Sequence, residues 1–281
     1  MTTLRAYATL AEYKAFTTAR GQAATTDAGD DAVIEQLLKA ASRYAESKTG
    51  RIYYPRVQTR YFSVPDEECE DPRDLELDAD LLEVFTVTNG NGTVLASTEY
   101  DLKPRNETPY SSIRLKDSSV YYWTPNSSGN SHDVISVSGV WAYHDLYSRA
   151  WLDVSTLNED LDASETGIDV VAGSAFSVGN IARCDDEMFY VSGIATNTLT
   201  ATRGENDSTA ATHDNGATVK IFVYMEDLNV AVMETAARAY GRRFGESTGG
   251  SATITAAGVV LSPKDIPSSM SGFINDHKRL V

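Results

Sequence analysis

Apolar and polar positions alternate one by one through the middle of this chain, whereas toward both ends the apolar positions recur at three- and four-residue intervals. Between Gly173 and Val219 the period is two. Phe189 and Val191 fall on one face, Met188 and Tyr190 on the other, and Thr198, Thr200 and Thr202 face away from Leu199 and Ala201. That period predicts half-buried strands. Turn residues at Asp185-Asp186, Thr196-Asn197, Arg203-Gly204 and Asn215-Gly216 break the run into local hairpins, so a compact β module is expected. The same period predicts an earlier β region from about Arg56 to Trp141, with turn signals at Asn89-Gly90 and Ser128-Gly129-Asn130.

The helical period appears first after Thr9-Leu10-Ala11-Glu12. This run has capping-box spacing, in which the Thr hydroxyl and the Glu carboxylate satisfy free amides, and it predicts a short helix to about Phe16. Asp30 and Asp31 open a longer helix whose stripe is Ile34, Leu37, Leu38, Ala41, Tyr44 and Ala45, ending near Gly50. Leu228, Val232, Ala236, Ala239 and Tyr240 mark a third helix from about Glu226 to Phe244, with acids in its first turn and Arg242 and Arg243 in its last. Beyond a Gly/Ser/Thr-rich stretch from Ser247 to Gly258, Pro267-Ser268-Ser269 introduces a final helix with Met270, Phe273, Ile274 and His277 on one stripe.

An amphipathic helix cannot bury its stripe alone, so the helices of the two ends are expected to find each other. The resulting expectation is an α+β fold, with a helical domain built from both chain ends (1–55 and 224–281) and two inserted antiparallel β regions. Those regions are a first at 56–151 and a small barrel-like module at 152–223.

Charge removes some function classes. With 40 acidic against 24 basic side chains the formal net charge is −16, and a general nucleic-acid or anionic-membrane binder needs the opposite footprint. Cys69 and Cys184 form no C-x-x-C pair, so neither a disulfide framework nor a zinc site is expected from spacing. Arg5, Glu12 and Lys14 interrupt what would be the apolar core of a signal peptide, and no apolar run approaches the ~20 residues that cross a bilayer. A soluble chain assembled in the cytosol is the expectation.

Candidate chemistry is sparse. The four histidines, His132, His144, His213 and His277, share no spacing, so a metal site would have to be assembled wholly by tertiary folding. Glu159-Asp160-Leu161-Asp162 and Asp185-Asp186-Glu187 lack the frame of a calcium-binding EF-hand and read as solvated acidic loops. Ser174 lacks a nucleophile elbow, and the glycines between Gly245 and Gly250 lack the Lys-Ser/Thr of a phosphate loop. Aromatic runs at Tyr53-Tyr54, Tyr121-Tyr122-Trp123 and Tyr143 to Trp151 suit either sugar or base stacking or plain core packing. No catalytic residue, metal or cofactor is expected.

Four stretches, taken in order, carry a resemblance to a known family. They are Tyr7 to Phe16 followed by DDAVIEQLLKAASRYAESKTGRIYYP; Ser138 to Trp151, SGVWAYHDLYSRAW; Asp227 to Phe244, DLNVAVMETAARAYGRRF; and Ile266-Pro267 through Val281. In this order they resemble the head-tail connector, or adaptor, proteins of tailed bacteriophages, in a larger form with inserted β regions. The resemblance implies a structural virion protein without enzymatic turnover, located at the head-tail junction and assembled in the host cytoplasm. Its partners would be the portal protein, a downstream tail or stopper protein, and copies of itself in a dodecameric ring.

Genomic DNA would pass through the ring without sequence-specific binding. About twelve copies at −16 each would carry roughly −190 charges, and an acidic lumen would give DNA no sticking points. The C-terminal residues Phe273, Ile274, His277, Lys278, Arg279 and Leu280 are expected either to reach the portal, on a segment that can order upon docking and be removed without unfolding the subunit, or to lie on a helix folded back on their own subunit. Alternatives are another tail, baseplate or decoration subunit, or a carbohydrate-binding or hydrolytic virion protein.

Overall fold

The computed structural model describes residues 5–21, 28–66, 71–244, 254–255, 258–259 and 265–279. Cys69, the glycine-rich run at 245–250 and Leu280 lie outside the described residues. The chain divides into two compact units, Met1–Arg51 with Arg149–Val281, and Ile52–Ser148.

The second unit is a six-stranded antiparallel sheet of β1 (Arg56–Phe62), β2 (Asp74–Thr88), β3 (Val94–Leu95), β4 (Tyr100–Lys103), β5 (Tyr110–Leu115) and β6 (Ile135–Trp141). The order is β1-β6-β2-β5-β4, with β3 on β2. β1 and β6 pair without a slip from Arg56 opposite Trp141 to Phe62 opposite Ile135. β2 is long and bulged, its register shifting between Glu76 and Leu81, Leu81 and Glu83, and Val84 and Thr86, so the strand bends. Leu81, Ile113, Leu115, Ile135, Val137 and Trp141 make the core. The indole N–H groups of Trp141 and Trp123 reach the carbonyls of Gln58 (3.0 Å) and Arg73 (2.9 Å), which lets both rings be buried.

The first unit combines four helices with the second sheet. The helices are α1 (Leu10–Ala19), α2 (Ala28–Thr49), α3 (Glu226–Phe244) and α4 (Ser268–His277). The sheet contains β7 (Trp151–Thr156), β8 (Gly167–Asp169), β9 (Ile181–Cys184), β10 (Glu187–Ala195), β11 (Thr198–Thr202) and β12 (Thr218–Phe222). Its order is β7-β12-β9-β10-β11-β8, and its two ends meet. Leu157 bridges Val170, Asn158 N donates to Asp169 O (2.9 Å) and Val171 N to Thr156 O (3.0 Å), so the sheet closes into a small barrel with no long free edge. Leu157, Ile168, Val170, Phe176, Phe189, Val191, Leu199 and Val219 fill it.

The capping box forms as spaced: Glu12 N donates to Thr9 Oγ1 (3.2 Å) and Thr9 N to Glu12 Oε2 (2.6 Å). Gly50 ends α2 at φ 70, a left-handed position, with its N–H on Glu46 O at 2.8 Å. The α2 stripe of Ile34, Leu37, Leu38, Ala41 and Ala45 is buried, as are Leu228, Val232, Ala236 and Ala239 of α3.

The architecture corrects the α+β expectation of a helical domain built from both chain ends with inserted β regions. Among the described residues twelve strands lie in two antiparallel sheets, and with 27% of those residues helical and 32% in strands the molecule is mostly sheet. α2, α3 and α4 do pack on one another, but within one unit that also contains the barrel. The physical reason lies in length. α1 and α4 have only 10 residues each, too few to enclose a core, so the N-terminal segment packs on residues of the barrel and of its exit as well as on α2 and α3. Arg5 pairs with Glu205 at 2.5 Å and lies over the Tyr190 ring at 3.6 Å, and the Tyr7 ring meets Tyr224 edge-on at 5.0 Å.

Candidate functional site

Two places concentrate polar chemistry, α4 and one end of the barrel. On α4, Phe273 is buried and stacks on the His277 ring at 4.5 Å. Ile274, His277 and Arg279 are half-buried and Lys278 is exposed, while Leu280 lies outside the described residues. His277 Nε2 approaches Asp227 Oδ2 of α3 at 3.5 Å. Arg51 Nε donates to His277 O (2.8 Å), and Arg279 N donates to Thr49 O (2.8 Å). Arg242 to Asp265 (2.7 Å) and Ser269 to Glu234 (2.6 Å) hold the approach to the helix. The five described residues of the six expected to reach a portal are therefore split between an inward face and an exposed end. Met270 and Phe273 are buried and α4 packs on α2 and α3, so removing Ser268 to Val281 is expected to destabilise the subunit.

At the barrel end, Glu187 occupies the same strand face as Phe189 and Val191, so its carboxylate points inward. It is saturated there. Oε1 accepts Arg203 Nε (2.6 Å) and Gly204 N (3.1 Å); Oε2 accepts Arg203 Nη2 (2.7 Å) and Ala211 N (2.9 Å) and meets His213 Nε2 (2.9 Å). Burial alone would push this carboxyl up, but the guanidinium, the amides and the imidazole outweigh it and hold it below the usual carboxylate range. Arg203 uses every donor it has, adding the carbonyls of Asp162 (2.8 Å), Glu165 (3.0 Å) and Ala211 (2.6 Å). The second ring nitrogen of His213, Nδ1, lies 2.8 Å from Asp185 Oδ2. A carboxylate with this many donors is a poor base; the cluster clamps the loop at 204–213 to the β9-β10 hairpin.

The acidic loops are thus not uniformly solvated. Glu187 is a buried ion-pair member, and the others build turns. Asp162 Oδ1 accepts Ser164 N (2.6 Å), Ser164 Oγ (2.8 Å) and Glu165 N (2.8 Å), which hold its carboxyl below the ordinary value. Glu159 takes Asp169 N (2.5 Å), and Asp160 takes Asn215 N (2.8 Å). Three of the eight aromatic candidates are core and four are half-buried. Tyr53, Tyr54 and Trp123 are buried, Trp151 packs edge-on against Phe222 at 5.0 Å, and Tyr122 is exposed. Of the histidines, His144 is buried with Nδ1 accepting Leu146 N (3.1 Å), and His132 is exposed.

The buried cluster of Glu187, Arg203 and His213 is what the sequence reading missed. One signal pointed to it, since Glu187 shares its strand parity with Phe189 and Val191. Comparison with protein-family models, curated proteins and solved structures found no match.

Proposed function

We propose that this chain is a structural virion protein of the head-tail connector type, joining a portal to tail components as a ring. The observation that supports this reading most is the meeting of three of the stretches that carry the resemblance. The N-terminal helix α2, the returning helix α3 and the C-terminal helix α4 pack on one another, tied by Arg51 to His277 O and by Arg279 N to Thr49 O. The clamp around Glu187 also fits a protein that holds shape, because its donors and acceptors are consumed internally. The burial of Tyr53, Tyr54 and Trp123 weighs against a sugar-binding platform.

The closed barrel favours a second reading, another tail, baseplate or decoration subunit, because it is a self-contained module able to serve in either setting. Native mass spectrometry and electron microscopy of the protein, alone and mixed with the portal protein of the same genome, separate the two. A ring stacked on the portal is the expected result. A discrete trimer or hexamer that ignores the portal would overturn the connector reading and favour the second.

A further inference from the structure

We propose that the β9-β10 turn binds a divalent transition-metal ion of the zinc class, held by Cys184 Sγ, His213 Nδ1 and a carboxylate oxygen of Asp185. The three donor atoms lie within 4.8 Å of one another. A mixed sulfur, nitrogen and oxygen set suits zinc or cobalt in a tetrahedral site with one open position, and disfavours the oxygen-preferring calcium and magnesium.

The orientation of His213 is the second and independent observation. Its Nε2 is fixed on Glu187 at 2.9 Å, and Glu187 is itself locked by Arg203, Gly204 and Ala211. A carboxylate that fixes one imidazole nitrogen while the other points into a cluster of ligands is the outer-shell arrangement that metal-binding histidines use. Nδ1 then faces Asp185 Oδ2 at 2.8 Å, and since a carboxylate only accepts, that contact needs either a proton or a cation on Nδ1.

The framework is rigid where it must be and adjustable where it can be. Cys184 is pinned by pairing with both Glu187 and Val219. Asp185 has left-handed backbone at φ 51, and Arg183 Nε donates to its carbonyl at 2.6 Å, yet its carboxylate is exposed and free to swing outward by the ~0.5 Å that coordination at ordinary bond lengths requires. The same exposed side offers the entry path and the open position. Burial, then Asp185 and Glu187, push the Cys184 thiol up to about 12, so the sulfur becomes a ligand only by giving its proton up to solvent as the ion binds. The ion would join the β9-β10 turn to the loop that ends at His213, and this holds whether or not the connector reading does.

The test is cobalt(II) titration of the full chain carrying Cys69→Ser, so that thiolate-to-cobalt charge-transfer absorption reports Cys184 alone. A near-ultraviolet band at one ion per chain, with visible bands of four-coordinate intensity, is expected. Cys184→Ser should abolish the charge-transfer band. Asp185→Asn and His213→Gln should each weaken binding by at least about tenfold, the cost typical of losing even an outer-shell partner. Asp186→Asn, one position along the turn, should change nothing. Circular dichroism in chelator keeps the variants interpretable, and Asp185→Asn, at an exposed side chain, serves if His213→Gln does not fold. No band at millimolar cobalt, or a band unchanged by Asp185→Asn, overturns the site.

Discussion

Glu187 and Arg203 meet through both carboxylate oxygens, Nε on Oε1 at 2.6 Å and Nη2 on Oε2 at 2.7 Å, with both side chains buried in the barrel. Removing one partner of such a pair leaves an uncompensated charge, which costs about 3–5 kcal/mol, whereas replacing both with apolar groups can be nearly neutral. Arg203→Met should therefore lower the urea midpoint far more than the double change Glu187→Leu with Arg203→Met. Arg203→Lys should fall between them, because an ammonium cannot supply the planar fork that also binds the carbonyls of Asp162, Glu165 and Ala211. Equal losses in the single and double variants would contradict the clamp.

The same cluster sets a pH dependence. The carboxyls of Glu187 and Asp162 are both held below their ordinary values in the folded chain. A depressed folded value means stability that is present above the unfolded value of about 4 and is lost as pH falls through the folded one. Urea midpoints should decline as pH drops from 5 toward the range below about 4, and Glu187→Gln should flatten that decline while lowering the plateau. A midpoint that rises on acidification would reverse the sign.

Cys184 sits inside the barrel, and its thiol is pushed up to about 12 by burial and by the neighbouring carboxylates of Asp185 and Glu187. Thiolate is the reactive form, so in metal-free buffer near pH 8 a Cys69→Ser chain should resist iodoacetamide until it is unfolded. Peptide mass spectrometry at Cys184 reads this directly, and rapid native labelling would mean that the barrel end opens.

Local chemistry was legible in the sequence because it acts over a few residues. Thr9 and Glu12 form their capping box, Thr198, Thr200 and Thr202 point outward from buried Leu199 and Ala201, and Asp185, Thr196, Gly204 and Gly216 take positive φ at turns read from composition. Alternation places Met188 on the strand face opposite Phe189 and Val191 but does not say what covers that face. It is buried because the loop after Arg203 folds back over it, Glu205 N donating to Met188 O (2.8 Å) and Met188 N to Ser208 Oγ (2.9 Å). The fold class failed for a related reason. The helical period says that a stripe must be buried but not against what, and Arg5 and Tyr7, just ahead of α1, found partners in Tyr190, Glu205 and Tyr224 rather than among helices alone. Histidine spacing carried no trace of the Glu187 cluster, since His213 joins it from a separate loop.

Two glycines should respond to alanine with opposite sign. A Cβ on Gly173 would stand 2.1 Å from Thr196 O and 2.8 Å from Asn197 Cα, both backbone atoms, so the turn must move at a cost of about 1–3 kcal/mol. A Cβ on Gly241, inside α3, meets nothing within 4 Å among the described residues, and the restriction it imposes on the unfolded chain should stabilise by about 0.5–1 kcal/mol. Thermal melts of the two variants provide the comparison. A stable Gly173→Ala protein would mean that the turn at Thr196 is looser than its contacts imply.

The C-terminal helix separates folding from docking within one short segment. Phe273 is 3% exposed beneath α4, and truncating it to alanine removes a buried ring at a cost of about 3–5 kcal/mol. Lys278, one turn beyond and exposed, has no such role, and charge reversal there should leave the melting temperature within the small range of surface changes. On the connector reading, Lys278→Glu should nonetheless weaken co-sedimentation with the portal protein, and the loss should vary with salt because an exposed charge is screened. If Lys278→Glu binds the portal as wild type does while Phe273→Ala fails only in proportion to its unfolded fraction, α4 is a structural element of its own subunit. The docking face must then be sought elsewhere on the molecule.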